Sequence, residues 1–483
     1  MTEFRGISNA KVASDAGHPS GSWHTRLAVH LTLVLTVATL LRAICFLVSC
    51  GDPAMRQMEE DSQGYLVLAQ NLAAGKGFGR ERPLGPQGQN LWIPELWRTP
   101  GYPVVVAGCQ LATGHGPPAT LLLQHTLNIG LCALALIVMR RSFGPRAGLL
   151  AGLLMALDLQ NVAMGNLLLT ESLYGVLLFL LALGIGRLYQ RPSLPLAVGC
   201  GAVIGLSALV RPTSLLLPTL AAVVLLSAAA VRRRAALLVA GVVLATIGNL
   251  AIGAWIVRNG AVCGEYTFST VGRFNLLNNH AIETVAEARG VPVTTAAQEV
   301  SAVLGIDNGR ISCLPLTAEE NRQLQTVSLQ YIRQYWPAFV KHSLVKTGMM
   351  LFGPEKQILS VLGLPWVSFG VLSSRSAHVP YVSWVLLGWQ MLLLGVVYVL
   401  VLRWAWQVLK GRRLPAWIWM ALLLSVYVLG LSAGLEDTRF RSPVLPLLTC
   451  MAAAAGGAPA SIVPGMGMRH AGWRRRRETA DPL

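Results

Sequence analysis

The stretch Ala235 to Val257, AALLVAGVVLATIGNLAIGAWIV, runs for 23 residues without a charge, with Arg232-Arg233-Arg234 before it and Arg258 after it. As a helix it would cover a hydrocarbon core of about 30 Å. On either side of it, further apolar runs of about 17 to 25 residues occupy His24 to Leu47, Ala119 to Met139, Ala147 to Met164, Leu167 to Leu183, Leu194 to Val210, Ser214 to Val231, Tyr381 to Leu402, Leu414 to Ala433 and Val444 to Val463. The expected fold class is an all-α polytopic membrane protein of about ten transmembrane helices. Two long extracytoplasmic loops, 51–118 and 258–380, would carry interfacial helices.

Composition points the same way. Of 483 residues, 53% are hydrophobic and 13% charged, where a soluble domain carries roughly 25% charged residues. The net charge is +17, clustered at Arg140-Arg141, Arg232 to Arg234, Lys410 to Arg413 and Arg474 to Arg477. With both termini inside, every one of these clusters falls on the cytoplasmic side, as short loops require. The basic balance therefore reads as topology and attraction to anionic headgroups, with no nucleic-acid partner. The expected organisation is a cytoplasmic tail 1–23, a transmembrane module 24–257, an outer region 258–380, C-terminal helices 381–463 and a basic cytoplasmic tail 464–483. The first span lacks a small-residue cleavage site and reads as retained. Eight cysteines show no C-x-x-C spacing; an oxidising compartment would permit Cys50–Cys109 and Cys263–Cys313 bridges, with four free thiols the preferred reading.

In the first outer loop, Tyr65, Leu68, Ala69 and Leu72 recur at helical spacing until Gly75, which predicts a short helix beginning near Asp61. In the second, Leu324 to Phe352 reads as an amphipathic helix broken around Pro337. Gln357 to Ser373 is apolar enough to dip into the membrane. No internal repeat is present, so an inverted-repeat transporter is unsupported.

A charge in a membrane span costs about 2.5–3.5 kcal/mol on insertion scales, so each one needs a reason. Arg42, Asp61, Arg98, Glu171, Arg211, Arg258, Arg439 and Arg441 come from distant parts of the chain, yet all are expected at or near the outer interface. Arginine there can fork two donors onto phosphate, and a carboxylate can take a hydroxyl proton.

Asp61-Ser62-Gln63-Gly64-Tyr65, with Leu68 to Leu72 and Gly75 to Phe78, resembles the first outer loop of the integral membrane glycosyltransferases of the GT-C type, typified by protein O-mannosyltransferases and lipid A aminoarabinosyltransferase. The resemblance continues through Arg98 to Pro103, Leu169 to Ser172, Gly205 to Thr213, Trp255 to Asn259 and Arg439 to Pro446, covering roughly residues 30 to 450. Ser62 departs from it, standing where that loop usually has a second acid. The resemblance implies a GT-C-like fold in a multi-pass plasma or inner membrane protein of the cell envelope. It implies a sugar donor on polyprenyl phosphate, transferred by inversion to a glycan, lipid or protein acceptor. Asp61 is then the candidate base and Glu171 a candidate for orienting the acceptor or Asp61. Arg42, Tyr65, Arg98, Arg211, Arg258, Arg439 and Arg441 are candidate substrate-binding residues. The resemblance leaves a divalent metal possible, as in some relatives, though no ligand spacing here argues for one, and it implies no other cofactor.

Plainer roles compete with each of these. Asp61 before a helical run is a good N-cap, and Glu171 can complement a helix dipole. Arg42 can snorkel to headgroups, and Arg211 can anchor a hairpin. A lipid or solute transporter or flippase, or a non-catalytic envelope partner, would also hold charges in a membrane protein. A transporter would place them at mid-bilayer, not at one interface.

Overall fold

The computed structural model describes residues 20–50, 60–83, 90–305, 318–364, 380–412 and 414–457. Residues 1–19, the tail 464–483, Cys313, the Cys50 side chain and residues 365–373 of the Gln357–Ser373 segment lie outside them. Within the described residues Cys109 and Cys263 are free.

In chain order the elements are α1 (Ser20–Cys50), α2 (Glu60–Ala73), the hairpin β1 (Gly79–Pro83) and β2 (Asn90–Pro94), α3 (Gly101–Thr113), α4 (Gly116–Phe143), α5 (Pro145–Ala156), α6 (Leu159–Gly165), α7 (Glu171–Gln190), α8 (Leu194–Val210), α9 (Leu217–Arg232) and α10 (Ala235–Cys263). A helical region outside the apolar bundle, called the outer region for that position alone, follows: α11 (Val271–Phe274) continued by a π-helical stretch Asn275–Ile282, then α12 (Glu283–Arg289), α13 (Val293–Leu304), α14 (Ala318–Gln334), α15 (Trp336–Phe352) and α16 (Lys356–Val361). The chain returns through α17 (Tyr381–Leu409), α18 (Ala416–Leu431), a 3₁₀ turn Thr438–Val444 and α19 (Leu445–Ala454).

Six helices are long and apolar enough to cross a membrane: Thr25–Val48, Gly116–Phe143, Glu171–Gln190, Pro212–Arg232, Ala235–Cys263 and Tyr381–Leu409. The pair α5–α6 makes a seventh if counted as one bent span. The chain is thus an overwhelmingly helical membrane protein; by length and composition six or seven spans are found among the described residues, and the other expected runs fall short of this criterion. The shortfall has physical reasons. The run Ala147 to Met164 bends by 53° because Asp158 interrupts it: its carboxylate accepts from Gln160 N at 3.1 Å, capping α6, and from Gln390 Nε2 at 2.8 Å. Leu194–Val210 and Ala416–Leu431 are apolar but short. The C-terminal run Val444 to Val463 follows a 3₁₀ turn around Pro443, and its residues 458–463 lie outside the described residues.

Helices pack through small residues, as expected where lipid supplies no hydrophobic drive between them. A Cβ on Gly201 would lie 2.7 Å from the Leu244 carbonyl, and one on Gly205 2.9 Å from Ala251, so α8 and α10 meet backbone to backbone. Gly186 of α7 meets Trp417 of α18 in the same way, at 2.5 Å. Connections are tight at the basic end: Arg233 turns α9 into α10 at φ 51°, and Arg412 sits over the Phe143 ring at 5.5 Å. In the outer region Glu283 pairs with His342 at 2.8 Å and with Lys346, joining α12 to α15.

Glu355, between α15 and α16, is wholly buried. Burial pushes its carboxyl up to about 8 against the pull of Arg441, with Asp437 adding to the rise. An unfolded glutamate ionises near about 4.3, so between these values the folded chain holds a proton that the unfolded chain has lost. Stability is then greatest at low pH and falls as pH rises through that window. The expected outcome is a thermal midpoint in detergent that declines from pH 5 to 8 in wild type and is flatter in Glu355→Gln; equal slopes would contradict it.

Candidate active site

A cleft of about 270 Å³ opens where the C-terminus of α8 and the N-terminus of α7 meet the outer helices, at the end of the bundle opposite Arg232 to Arg234. Six of the sequence candidates line it: Asp61, Tyr65, Arg98, Glu171, Arg211 and Arg439.

Asp61 lies in the first turn of α2, whose apolar face (Tyr65, Ala69, Leu72) packs toward Tyr102 and Val106 of α3. Its carboxylate is gripped from two sides. Arg98 Nη2 donates to Oδ1 at 2.8 Å and Arg439 Nη2 to Oδ2 at 2.7 Å. Burial would raise this carboxyl, but Arg439 and Arg98 outweigh it and hold it below its ordinary range. Asp61 remains 31% exposed, so the grip faces the cleft. The Arg98 guanidinium lies 5.2 Å over Tyr65, whose ring stacks edge-on against Tyr102 at 5.0 Å.

A second ion pair lies alongside. Pro212 forces the preceding residue out of helical geometry, so Arg211 ends α8 in extended backbone, φ −145° and ψ 122°. Its Nη1 reaches Glu171 Oε1 at 2.9 Å, and Arg439 Nε approaches the same oxygen at 3.9 Å. Phe440 serves both cations, with Arg211 at 5.1 Å and Arg439 at 5.3 Å from its ring. The wall thus carries three guanidiniums against two carboxylates, and this surplus of positive charge suits an anion.

The other three candidates point elsewhere. Arg42 is 2% exposed and bonds its own helix at Ala38 O, 3.2 Å, instead of reaching headgroups or the cleft. Arg258 donates to the carbonyls of Phe78 at 3.0 Å and Glu95 at 3.4 Å, behind the cleft wall. Arg441 is wholly buried and donates to Gln160 Oε1 at 2.9 Å and to the carbonyls of Met350, Leu351 and Gly353 at 2.8–3.1 Å, capping the end of α15.

Some residues at the site escaped the sequence reading. Trp97 lines the cleft against Phe274 at 4.5 Å, and Asn275 and Asn279 reach it from the outer region. Gly64 is the least obvious, since a Cβ there would lie 2.4 Å from Arg98 Cζ. The missing side chain is the space the guanidinium fills. Among the described residues, no group of three or more His, Cys, Asp or Glu side chains is placed to hold a metal ion.

No protein-family model and no curated protein matches the chain. Among solved structures it is similar to the archaeal oligosaccharyltransferase AglB from Archaeoglobus fulgidus in complex with an inhibitory peptide and a dolichol-phosphate. That match has 13% identity and a TM-score of 0.49 over 90% of this chain and 50% of that one. It is also similar to ArnT from Cupriavidus metallidurans bound to undecaprenyl phosphate, with 14% identity and a TM-score of 0.37 over 91% of this chain and 78% of that one. The chain spans about half the length of the archaeal enzyme. Likeness at these scores assigns it no activity.

Alanine at a mid-helix glycine ordinarily stabilises by roughly 1 kcal/mol. Gly64→Ala is expected to lower the thermal midpoint instead, because it evicts Arg98 from Asp61, and to raise it in an Arg98→Ala background. The same sign in both backgrounds would show that Gly64 does not make room for Arg98.

Proposed function

We propose that this chain is a membrane glycosyltransferase that moves a sugar from a polyprenyl-phosphate donor to an acceptor hydroxyl on the extracytoplasmic face, by inversion. The observation that carries the reading is Asp61 clamped between Arg98 and Arg439 in a cleft with a surplus of positive charge. The order of motifs along the sequence supports it. So does the location of the cleft, at the bundle end away from Arg140, Arg232 and Lys410, which the positive-inside rule puts in the cytoplasm. The expected ten-crossing topology, with loops 51–118 and 258–380 outside, belongs to the same proposal.

The acceptor hydroxyl attacks the anomeric carbon while the bond from that carbon to the phosphate oxygen breaks. The hydroxyl proton passes to Asp61, and the polyprenyl phosphate leaves with the negative charge. The leaving group is already a good anion, so no general acid is needed. Arg98, Arg211 and Arg439 stabilise that charge. Tyr65 and Phe440 hold the guanidiniums from their faces, and Glu171 holds Arg211. Without donor, Asp61 is a poor base, since both oxygens are occupied by arginine. A donor phosphate competes for those arginines and frees an oxygen to accept the proton, so donor binding precedes activation of the acceptor.

Glycan and glycolipid mass spectrometry of cells with and without the protein identifies the product. With that product, Asp61→Asn is expected to lose about 10²–10⁴-fold in turnover while inserting and folding normally. Near-normal turnover would remove Asp61 from the chemistry, and an unchanged envelope with no release of sugar from any polyprenyl phosphate would remove the reading itself.

A further inference from the structure

Both arginines that grip Asp61 hang on turns closed by an upstream carboxylate. Glu95, at the end of the hairpin, is 3% exposed and does not line the cleft. Its Oε1 accepts from the backbone N of Trp97 at 2.8 Å and of Arg98 at 3.1 Å, and its Oε2 faces Arg80 Nη2 at 3.2 Å. The outer region holds the same turn from beyond: Thr270 N donates to Leu96 O at 3.0 Å and Ser269 Oγ to Trp97 O at 2.6 Å. Arg258 holds it from behind through Glu95 O. On the other side of Asp61, Asp437 Oδ1 accepts from Arg439 N at 3.1 Å, and Oδ2 lies 3.2 Å from Arg439 Nε and 3.6 Å from Lys356 Nζ.

A flexible arginine gains little from one ion pair when its side chain must be ordered to make it. A turn whose backbone amides are already bonded removes part of that cost, which is how supporting groups preorganise a binding site. We infer that Glu95 and Asp437 are positioning residues that set Arg98 and Arg439 facing one another, at a spacing that one phosphate or one carboxylate can bridge. Neither touches substrate. The inference deepens the proposed function and rests on it for the identity of the anion, but the placement of the turn can be read without any ligand.

The test uses the full chain in detergent, labelled with 5-fluorotryptophan, with the Trp97 resonance assigned by its loss in Trp97→Phe. Undecaprenyl phosphate is the titrant. Glu95→Ala is expected to shift or broaden the Trp97 resonance without lipid and to weaken undecaprenyl phosphate binding at least tenfold. Glu95→Gln, whose amide oxygen still accepts from the two backbone amides, is expected to bind within about threefold of wild type. This rescue separates positioning from a need for charge at Glu95. Should Glu95→Ala fail to fold, Asp437→Ala against Asp437→Asn makes the same comparison through affinity. Alanine variants that match wild type in resonance and affinity would overturn the inference, as would a Gln variant as damaged as Ala. A wild-type protein that binds no undecaprenyl phosphate would defeat the lipid-phosphate reading, while the Trp97 resonance would still decide the positioning.

Discussion

Asp61 is held by two guanidiniums from opposite ends of the chain, Arg98 at 2.8 Å and Arg439 at 2.7 Å, and much of the surrounding structure serves that grip. Ionised groups beside hydrocarbon are tolerated only when paired and oriented. Three separate segments therefore have to arrive with their side chains already aimed. Helix α2 brings the carboxylate, the turn after the hairpin brings one arginine, and the 3₁₀ turn after α18 brings the other. Gly64 leaves room for Arg98, and Pro212 turns Arg211 out of α8 toward Glu171.

The same contacts are what the proposed exchange of arginines would use. Each arginine commits one terminal nitrogen to Asp61, and guanidinium carries five donors, so donors remain for an incoming anion. Two guanidiniums share the Phe440 ring, which spreads positive charge without neutralising it. In the proposed reaction an arriving phosphate would meet a site that is cationic overall, and its arrival would loosen the hold on Asp61, the carboxylate proposed to accept a proton.

Much of this was legible in the sequence, and the failures have physical causes. Uninterrupted apolar runs such as Ala235 to Val257 announce themselves, because nothing but a membrane accommodates 23 such residues in a row. The bend at Asp158 did not, since one acid in an apolar run reads equally as a defect or a cap. The convergence of Asp61, Arg98, Glu171, Arg211 and Arg439 was expected from their common position at or near the outer interface. Arg439 and Arg441 looked equivalent, but in a 3₁₀ turn of three residues each side chains two apart point in different directions. One faces the cleft and the other caps α15. Arg42 and Arg258 likewise satisfy nearby carbonyls, whose availability is a matter of tertiary structure. Glu95 and Asp437 went unread because an acid that bonds the backbone of a turn leaves no periodic signature.

The decisive measurement is the structure of the protein with undecaprenyl phosphate bound in a lipid nanodisc. The phosphate is expected between Arg98, Arg211 and Arg439, with at least one Asp61 oxygen released from arginine. A phosphate bound away from these residues, with both Asp61 contacts intact, would rule out the exchange of arginines between carboxylate and donor.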